Sequence, residues 1–331
     1  SMKIGKENKK KIALFCNVDE SCVIEALDVK SIYSIPLLYV KQGLHTALLN
    51  IVGLPEEAPD LKEFEDLVQR ESSLKKTVKV LVAGKYNNKE SYKSLFEALH
   101  HAGIAETVET EIKWVNTKKY DEADLPEDLF TDIGGIVIPG GFGVEGIEGK
   151  IKIINYARKH NIPILGICYG FQLMVIEFAR NVLGIKNASS EEFEDATGEK
   201  IVGLITSFEN EGVIETRSKA SDIGGTMRLG TYKRVIKPES LASKFYGTEV
   251  FSERHRHRYE IDMNYKDAFE SKGFVFSGVS KDGRLPEIGE ITELRFFMGV
   301  QFHPELKSQI LTPHPLFVNF IASCLQYTQL T

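Results

Sequence analysis

Hydrophobic and polar positions repeat in blocks along most of this chain. From residue 77 onward, several short runs of consecutive apolar residues are followed by segments whose apolar positions recur every three or four residues. An uninterrupted apolar run is typical of a strand buried on both faces, and the three-to-four spacing is typical of a helix that buries one face. In order, the predicted elements are a strand at 77–86, a helix at 90–104, strands at 111–116 and 133–141, a helix at 149–162, a strand at 163–168 and a helix at 169–185.

Strands interspersed with helices in this way predict an α/β fold, with a mostly parallel central sheet and helices on both faces. From about residue 200 the apolar runs become shorter, and we expect their strands to extend this sheet or to form a layer beside it. These shorter strands are predicted at 200–207, 226–236, 257–262, 274–280 and 296–303.

The first 76 residues follow a different pattern. Residues 11–16, in which five apolar residues follow Lys11, predict a short strand, and residues 31–54 predict a short helical unit that ends at Gly53. Residues 55–76 are rich in charge, and their apolar positions have the spacing of an amphipathic surface helix between linker-like flanks. These apolar positions are Leu61, Phe64 and Leu67. We expect a domain boundary here, since the residues before it are few for an independent core.

Composition and charge narrow the functional class. The 331 residues are 42% hydrophobic and 27% charged, with a net charge of −6, as in an ordinary globular protein. These values do not favour binding to nucleic acid or to a membrane surface, and no apolar stretch approaches the ~20 residues that cross a bilayer. The four cysteines form no CxxC pair, which indicates a reducing, cytoplasmic setting in which one thiol can be reactive.

One cysteine stands in a pattern typical of a nucleophile. In residues 166–170, GICYG, an apolar run ends at Cys168 and a helical pattern begins after it. At such a turn the helix N-terminus favours a thiolate and presents free N–H groups to an oxyanion, while glycines two positions away avoid collisions. A buried, inert cysteine at a strand end is the alternative, and the spacing by itself does not decide between the two.

A thiol nucleophile needs a base, and the base needs a group that orients it. His303, Pro304 and Glu305 follow an apolar run at 296–302. Pro304 holds the chain extended, so Glu305 can turn to the side of His303 and fix its imidazole. His303 is therefore the candidate base and Glu305 its partner.

A glycine-rich loop follows the strand predicted at 133–141. Its residues Gly140, Gly141, Phe142 and Gly143 allow the backbone to approach a ligand and to direct N–H groups toward it. We exclude a phosphate-binding P-loop, because the order G-x-x-x-x-G-K-[ST] is absent.

The segment ERHRHRYE, residues 253–260, alternates two residue types. On a strand, Arg254, Arg256 and Arg258 would share one face and the two intervening histidines the other. The histidines lack a third ligand, so no metal site is predicted. The arginines form either a solvated basic edge or a clamp for a carboxylate or phosphate.

With these four motifs, residues 77–331 resemble the class I (triad) glutamine amidotransferase domain of the CTP synthase family. The cysteine motif, the PGGFG loop and FHPE are typical of the amidotransferase class, and GKYNNKESYKSLFEALHHAG, SDIGGTMRLG and ERHRHRYE are typical of CTP synthases. Residues 11–54 resemble the last piece of that family's synthetase domain, whose bulk, with its ATP-binding P-loop, is absent. The resemblance implies a synthetase remnant at 1–54, a linker at 55–76 and an amidotransferase domain with a flavodoxin-like fold and a nucleophile elbow at 77–331.

The resemblance also implies the catalytic roles. Cys168 would attack the side-chain amide of L-glutamine, His303 would shuttle the protons and Glu305 would orient His303. The Gly140–Gly141 loop and the backbone N–H after the cysteine would hold the oxyanion.

For the substrate, Glu192 would meet the α-ammonium and Arg258 the α-carboxylate, with Arg256 as the second choice for that contact. The residues implied to bind the oxyanion or the substrate are Gly140, Gly141, Phe142, Tyr169, Gly170, Phe171, Gln172, Glu192 and Arg258.

The implied reaction is hydrolysis of glutamine to glutamate and ammonia through a Cys168 thioester. The ammonia would pass to the synthetase domain, missing here, which would use ATP and Mg²⁺ to phosphorylate UTP and form CTP. No cofactor is implied for this fragment. GTP would activate the glutaminase step, and the full-length enzyme would be a cytoplasmic homotetramer.

Three positions depart from the family pattern. Tyr169 and Phe171 stand where the family commonly has Leu and Met, which predicts a more aromatic pocket wall. Glu145 stands where many relatives have Arg, in a loop linked to GTP activation, so a GTP response does not follow from the resemblance here.

Two other functions stay open at this point. A module that keeps the fold but only binds a partner would not be labelled by a glutamine-like electrophile. Another hydrolase on the same scaffold, such as a γ-glutamyl peptidase or an enzyme that supplies ammonia for GMP synthesis, would accept other γ-glutamyl substrates. Cys168, His303 and Glu305 favour an enzyme, and GGTMRLG and ERHRHRYE favour CTP synthase.

Overall fold

The structure is a computed structural model. It describes residues 3–86, 89–193, 197–205, 207–210, 213–216 and 228–330. Residues 221–227 of the SDIGGTMRLG motif lie outside the described residues. The chain divides after Lys75 into two compact units, called unit 1 up to Lys75 and unit 2 from Lys76.

Unit 1 is built from short helices. Its α-helices are α1 (Lys6–Cys16), α2 (Ile35–Lys41), α3 (Leu44–Val52) and α4 (Lys62–Ser72). Helix α3 ends where predicted, at Gly53, whose φ of 71° is the left-handed conformation that favours glycine after a helix. The amphipathic helix predicted within 55–76 is α4, whose buried residue is Leu67.

The strand predicted at 11–16 is wrong, because these residues are the second half of helix α1. The lysines and glutamate before them are good helix formers, so the helix begins before the apolar run and continues through it. A short apolar run cannot by itself distinguish a strand from a helix.

Unit 2 contains the remaining strands and helices. Its strands are β1 (Lys76–Gly84), β2 (Val108–Asn116), β3 (Gly135–Ile138), β4 (Ile164–Ile167), β5 (Ser189–Ser190), β6 (Lys200–Leu204), β7 (Ser207–Asn210), β8 (Val213–Thr216), β9 (Arg228–Ile236), β10 (Val250–His257), β11 (Tyr259–Ile261), β12 (Val275–Ser280), β13 (Pro286–Glu290) and β14 (Phe297–Val300). Its α-helices are α5 (Lys93–Ala105), α6 (Ile147–Lys159), α7 (Tyr169–Asn181), α8 (Leu241–Tyr246), α9 (Lys266–Glu270) and α10 (Pro315–Thr328).

The central sheet of the described residues has the strand order β10-β9-β12-β13-β14-β4-β3-β1-β2. Strands β2, β1, β3, β4 and β14 are parallel, and β13, β12, β9 and β10 continue the sheet antiparallel. Strands β11, β6 and β5 form a smaller sheet, and β7 pairs with β8. The strands after residue 200 were expected either to extend the central sheet or to form a layer beside it, and the described strands do both.

The inner parallel strands β3, β4 and β14 are buried on both faces, whereas the edge strand β2 keeps exposed positions. Along β3, Ile136 and Ile138 pack into one hydrophobic cluster with residues of α6 and α7, whereas Val137 packs into a second cluster with residues of α5 and α10. Successive side chains of a strand point to opposite faces, so helices on both sides leave no exposed position. This arrangement explains the uninterrupted apolar runs and confirms the α/β fold.

The carboxyl ends of three parallel strands meet at one edge of the sheet. Ile138 of β3 lies beside Gly166 of β4, and Ile167 of β4 lies beside Val300 of β14. The residues that follow these strands are the predicted glycine loop, the predicted nucleophile and the predicted base. The fold therefore brings together segments that are far apart in sequence.

Candidate active site

Cys168 lies at a sharp turn between strand β4 and helix α7. Its φ of 52° and ψ of −103° place a non-glycine residue at positive φ, which is a strained backbone conformation. Its own N–H donates to the carbonyl of Val300, which ties the turn to strand β14. The turn thus holds the sulfur at the N-terminus of the helix, as in a nucleophile elbow.

The two glycines that flank the cysteine are required by close packing. A Cβ at Gly166 would lie 2.3 Å from the Met174 sulfur, and a Cβ at Gly170 would lie 2.0 Å from the carbonyl oxygen of Ile138. The helix and the neighbouring strand leave no room for a side chain at either position. The steric reason expected from the sequence therefore holds.

His303 and Glu305 lie beside the sulfur. His303 Nδ1 is 2.7 Å from Glu305 Oε1, and the imidazole and the Cys168 side chain lie against the same residue, Gly140. Because the carboxylate accepts from Nδ1–H, the other ring nitrogen is left for the sulfur. The structure brings these three predicted residues together in the order sulfur, imidazole, carboxylate.

The electrostatics of this group favour an ion pair. Burial lowers the pKa of His303, but the charge of Cys168, the hydrogen bond to it and the contact with Glu305 outweigh burial and raise the pKa to about 11. A protonated imidazole beside the sulfur stabilises a thiolate, which is the nucleophilic form of cysteine.

The glycine loop closes over the sulfur from strand β3. A Cβ at Gly140 would lie 2.9 Å from His303 Cε1 and 3.8 Å from Cys168 Cβ. Tyr169 is the first residue of helix α7, where backbone N–H groups have no partner within the helix. The loop and the helix N-terminus can therefore direct N–H groups toward a charge that develops near the sulfur.

A cavity of about 720 Å³ opens beside these groups. This volume lies within the range of small-molecule sites, roughly 300–1,000 Å³. The predicted site residues that line it are Gly140, Gly141, Phe142, Cys168, Tyr169, Gln172, Glu192, Arg258, His303 and Glu305.

Glu192 and Arg258 supply opposite charges to this cavity. Glu192 Oε1 accepts a hydrogen bond of 2.8 Å from the Gly143 N–H. Burial raises the pKa of Glu192, while that N–H and the nearby cations, among them Arg258, oppose the rise. Arg258 Nε is buried and has no hydrogen-bond partner among the described residues. A buried donor without a partner beside a cavity is suited to bind an anionic ligand group.

The alternation expected for the ERHRHRYE segment is present on strand β10 as far as His257, whereas Arg258 lies in the bend between β10 and β11 and does not continue the strand. Arg254 and Arg256 are exposed, whereas His255 and His257 are buried. Burial and then the nearby Arg228 lower the pKa of both histidines well below the usual value, so they stay neutral. Arg256 lines the cavity together with Arg258.

Two predicted binding residues lie outside the cavity lining. Gly170 packs against strand β3, as described above. Phe171 is fully buried, and a Cβ at Gly299 would lie 2.2 Å from its ring. Its side chain therefore packs in the core beneath the sheet edge. Of the two aromatic residues that depart from the family pattern, Tyr169 lines the cavity and Phe171 does not.

Two lysines that were not predicted from the sequence lie beside the glycine loop and the start of helix α7. Lys85 donates to the Phe142 carbonyl and lies 4.4 Å from the centre of the Phe142 ring. Lys150 is fully buried 5.2 Å from the centre of the Tyr169 ring, and burial lowers its pKa to about 8. Lys85 lies within the strand predicted at 77–86 and Lys150 within the helix predicted at 149–162. No local sequence pattern marks either lysine as part of a site.

Gln301 was also missed, and it contacts the candidate nucleophile. It is fully buried, and its Nε2 is 3.7 Å from Cys168 Sγ. The available signal was a single polar residue inside the apolar run FFMGVQF. Buried polar side chains are hydrogen-bonded, so such a residue indicates a partner elsewhere in the fold.

Two further observations concern sites of other kinds. In the part of the chain that the structure describes, no three His, Cys, Asp or Glu side chains are grouped as metal ligands would be. Among the described helices, none combines the length and apolar character that a bilayer crossing needs.

Comparisons with known proteins agree with this geometry. Residues 88–323 match the family model for glutamine amidotransferase class-I, and residues 1–54 match that for the CTP synthase N-terminus. The chain is 46% identical to the CTP synthase of Sinorhizobium medicae over 99% of this chain, and 46% identical to that of Maricaulis maris over 98% of this chain. It spans 60% of the length of each of these curated relatives.

A solved structure gives the same assignment. The structure described as the Trypanosoma brucei CTPS glutaminase domain with bound acivicin matches with 32% identity and a TM-score of 0.65. The match covers 75% of this chain and 94% of that one. The chain therefore belongs to the class I glutamine amidotransferase family, in its CTP synthase branch.

Proposed function

We propose that this chain hydrolyses L-glutamine to glutamate and ammonia, as the glutaminase part of a CTP synthase. The observation that carries the proposal is Cys168 at a strained strand–helix turn beside the His303 imidazole, which Glu305 holds at 2.7 Å. A thiol, a base and an orienting carboxylate in this order are the arrangement of a cysteine nucleophile.

The chemistry follows from the charges at this turn. The Cys168 thiolate attacks the carbon of the glutamine side-chain amide, and the oxyanion faces the N–H groups of the Gly140–Gly141 loop and of Tyr169. Each such donor contributes roughly 3–4 kcal/mol in comparable sites. The His303 imidazolium gives its proton to the leaving nitrogen, which departs as ammonia, and then activates the water that hydrolyses the thioester.

The charged residues of the cavity suit the other end of the substrate. Glutamine carries an α-ammonium and an α-carboxylate, and Glu192 and Arg258 line one cavity with opposite charges. We assign the α-ammonium to Glu192 and the α-carboxylate to Arg258, whose buried Nε has no partner among the described residues. Arg256 is the second candidate for the carboxylate, since it lines the same cavity.

The proposal for the whole protein reaches beyond this chain. The ammonia would be used by a synthetase domain that phosphorylates UTP with ATP and Mg²⁺ and forms CTP, in a cytoplasmic homotetramer activated by GTP. The match of residues 1–54 to the CTP synthase N-terminus supports a connection to that domain. Glu145, which replaces the Arg of many relatives, forms an ion pair of 2.6 Å with Lys118, so the response to GTP is the part of the proposal to measure first.

Labelling with acivicin tests the glutaminase proposal. Acivicin is the compound bound in the trypanosomal structure, and we expect mass spectrometry to locate its adduct on the Cys168 peptide. Cys168→Ala should lose both the adduct and glutamine hydrolysis, whereas Cys16→Ser, at an exposed cysteine outside the site, should keep both. Unchanged hydrolysis in Cys168→Ala would exclude the mechanism. Neither labelling nor hydrolysis in the unmodified chain would favour a binding module instead.

A further inference from the structure

A hydrogen-bonded series of buried amide groups ends on the sulfur of Cys168. Gln301, which immediately follows strand β14, places its Nε2 3.7 Å from that sulfur. Its Oε1 accepts a hydrogen bond of 3.2 Å from Nε2 of Gln172, on helix α7. The Nε2 of Gln172 also donates to the carbonyl of Tyr259, at 2.9 Å.

The Tyr259 carbonyl, at the end away from the sulfur, sets the direction of every hydrogen bond in this series of amide groups. A backbone carbonyl can only accept, so the Gln172 side chain must direct its amino group toward Tyr259. That amino group has a second hydrogen, which it donates to Gln301 Oε1. The amino group of Gln301 is then the part that faces the sulfur, so Cys168 is offered a donor.

The sulfur has different neighbours for its two protonation states. A neutral thiol can donate to the carbonyl of Arg256, which is 3.9 Å from the sulfur. A thiolate can only accept, and it then has the Gln301 amide on one side and the charge of the His303 imidazole nearby. A fixed donor beside the sulfur stabilises the thiolate over the thiol.

Gln301 differs in position from the residues that surround the substrate cavity. It is fully buried and does not belong to the cavity lining, whereas Gln172 does. Its effect should therefore reach the reacting sulfur without a contact to the rest of the substrate.

We propose that Gln301 is a positioning residue that stabilises and orients the Cys168 thiolate, with its own amide oriented by Gln172 and the Tyr259 carbonyl. The inference rests on the proposed function for its catalytic consequence, but the contact with the sulfur can be tested without glutamine.

The test measures alkylation of Cys168 by iodoacetamide as a function of pH, with the Cys168 peptide quantified by mass spectrometry so that the other cysteines do not contribute. Gln301→Met keeps the size of the side chain and removes the donor. Because a hydrogen bond to a charged group is worth about 1.5–3 kcal/mol, we expect the midpoint of the alkylation profile to rise by about one to two pH units.

The same variants separate binding from chemistry. For glutamine hydrolysis we expect kcat to fall about tenfold or more in Gln301→Met, with KM changed by less than about threefold. Gln301→Glu keeps the acceptor for Gln172 but places a carboxylate beside the sulfur, and it should raise the alkylation midpoint further. This second variant carries the test if Gln301→Met does not fold.

Ser277→Ala is the matched control. Ser277 is fully buried in the same sheet and donates a 3.0 Å hydrogen bond to Glu290 Oε2, away from the sulfur. It should lower thermal stability without moving the alkylation midpoint. Alkylation profiles of folded Gln301 variants that coincide with the unmodified chain would overturn the proposal. A shifted profile in a chain that does not hydrolyse glutamine would leave this inference standing and remove the proposed function.

Discussion

Three side chains act on the surroundings of the Cys168 sulfur, and each does so through a different contact. His303 supplies a positive charge, Glu305 keeps that charge on the imidazole, and Gln301 supplies a neutral donor from within the core. The strained φ of Cys168 is stabilised by its bond to strand β14 and by the close packing of the glycines around it. At this scale the site is a sulfur held in one position with donors around it.

The pH dependence of activity tests Glu305. Glu305 contributes to the raised pKa of His303, so the imidazole stays protonated as the pH rises. In Glu305→Gln the charge is lost while Nδ1 keeps an acceptor, and the pKa of His303 should fall. The Cys⁻–His⁺ pair then disappears at lower pH on the alkaline side. We expect the alkaline limb of the glutaminase pH profile to move to lower pH, and kcat to fall about 10- to 100-fold.

Glu253→Gln is the control for this experiment. Glu253 accepts a 2.8 Å hydrogen bond from His314 at a second buried histidine–glutamate pair, which does not line the cavity. Its loss should change stability but not the pH profile. An alkaline limb that stays in place in Glu305→Gln would show that the carboxylate does not control the protonation of His303.

At the scale of elements, the site depends on how closely helix α7 approaches strand β3. The turn at Cys168 is possible because Gly170 has no side chain where α7 meets the Ile138 carbonyl. The same closeness holds the helix N-terminus next to the glycine loop that follows β3. A small change in the distance between these two elements would therefore move both proposed oxyanion donors.

Gly170→Ala tests this packing. Its Cβ would lie 2.0 Å from a backbone oxygen, so the helix or the strand must shift. We expect the free energy of unfolding to fall by about 1–3 kcal/mol or more, measured by denaturant titration, and kcat to fall together with it. In Gly203→Ala the nearest neighbour, Glu191 Oε2, is at an ordinary 3.7 Å, and stability and activity should change little. Equal behaviour of the two variants would contradict the packing account.

At the scale of the whole molecule, unit 2 contains all of the proposed glutaminase machinery. Cys168, His303 and Glu305 come from segments that follow different strands of one sheet, and the cavity beside them is lined by residues of unit 2. The chain spans 60% of the length of its curated relatives. The proposed division of labour places ammonia release here and amination elsewhere.

Full-length enzyme tests that division. Cys168→Ala should abolish CTP formation with glutamine as nitrogen source, because no ammonia is released. CTP formation with added ammonium salt should persist, because external ammonia does not require the thiol. Absorbance of CTP measures both rates, and Cys16→Ser provides the control in which both persist. Loss of the ammonia-dependent rate in Cys168→Ala would contradict the separation of the two activities.

Much of the site could be predicted from the sequence because its parts are local. The glycines around Cys168, the proline between His303 and Glu305 and the glycines after β3 each mark a backbone conformation within a few residues. The uninterrupted apolar runs predicted buried strands because burial on both faces is also visible within a few consecutive residues. The strand predicted at 11–16 is wrong because a run of five apolar residues, 12–16, fits both periods.

Local sequence patterns were enough to predict the alternation of strands and helices, the turn that presents Cys168 and the residue types available for catalysis. Three features became visible only in the folded chain: Gln301 contacts the sulfur, Phe171 packs against Gly299 in the core, and the buried histidines of β10 stay neutral beside Arg228. The first set depends on backbone preferences and periodicity over a few neighbouring residues. The second depends on which distant strands and helices are adjacent, because burial and partners come from residues that local patterns do not connect.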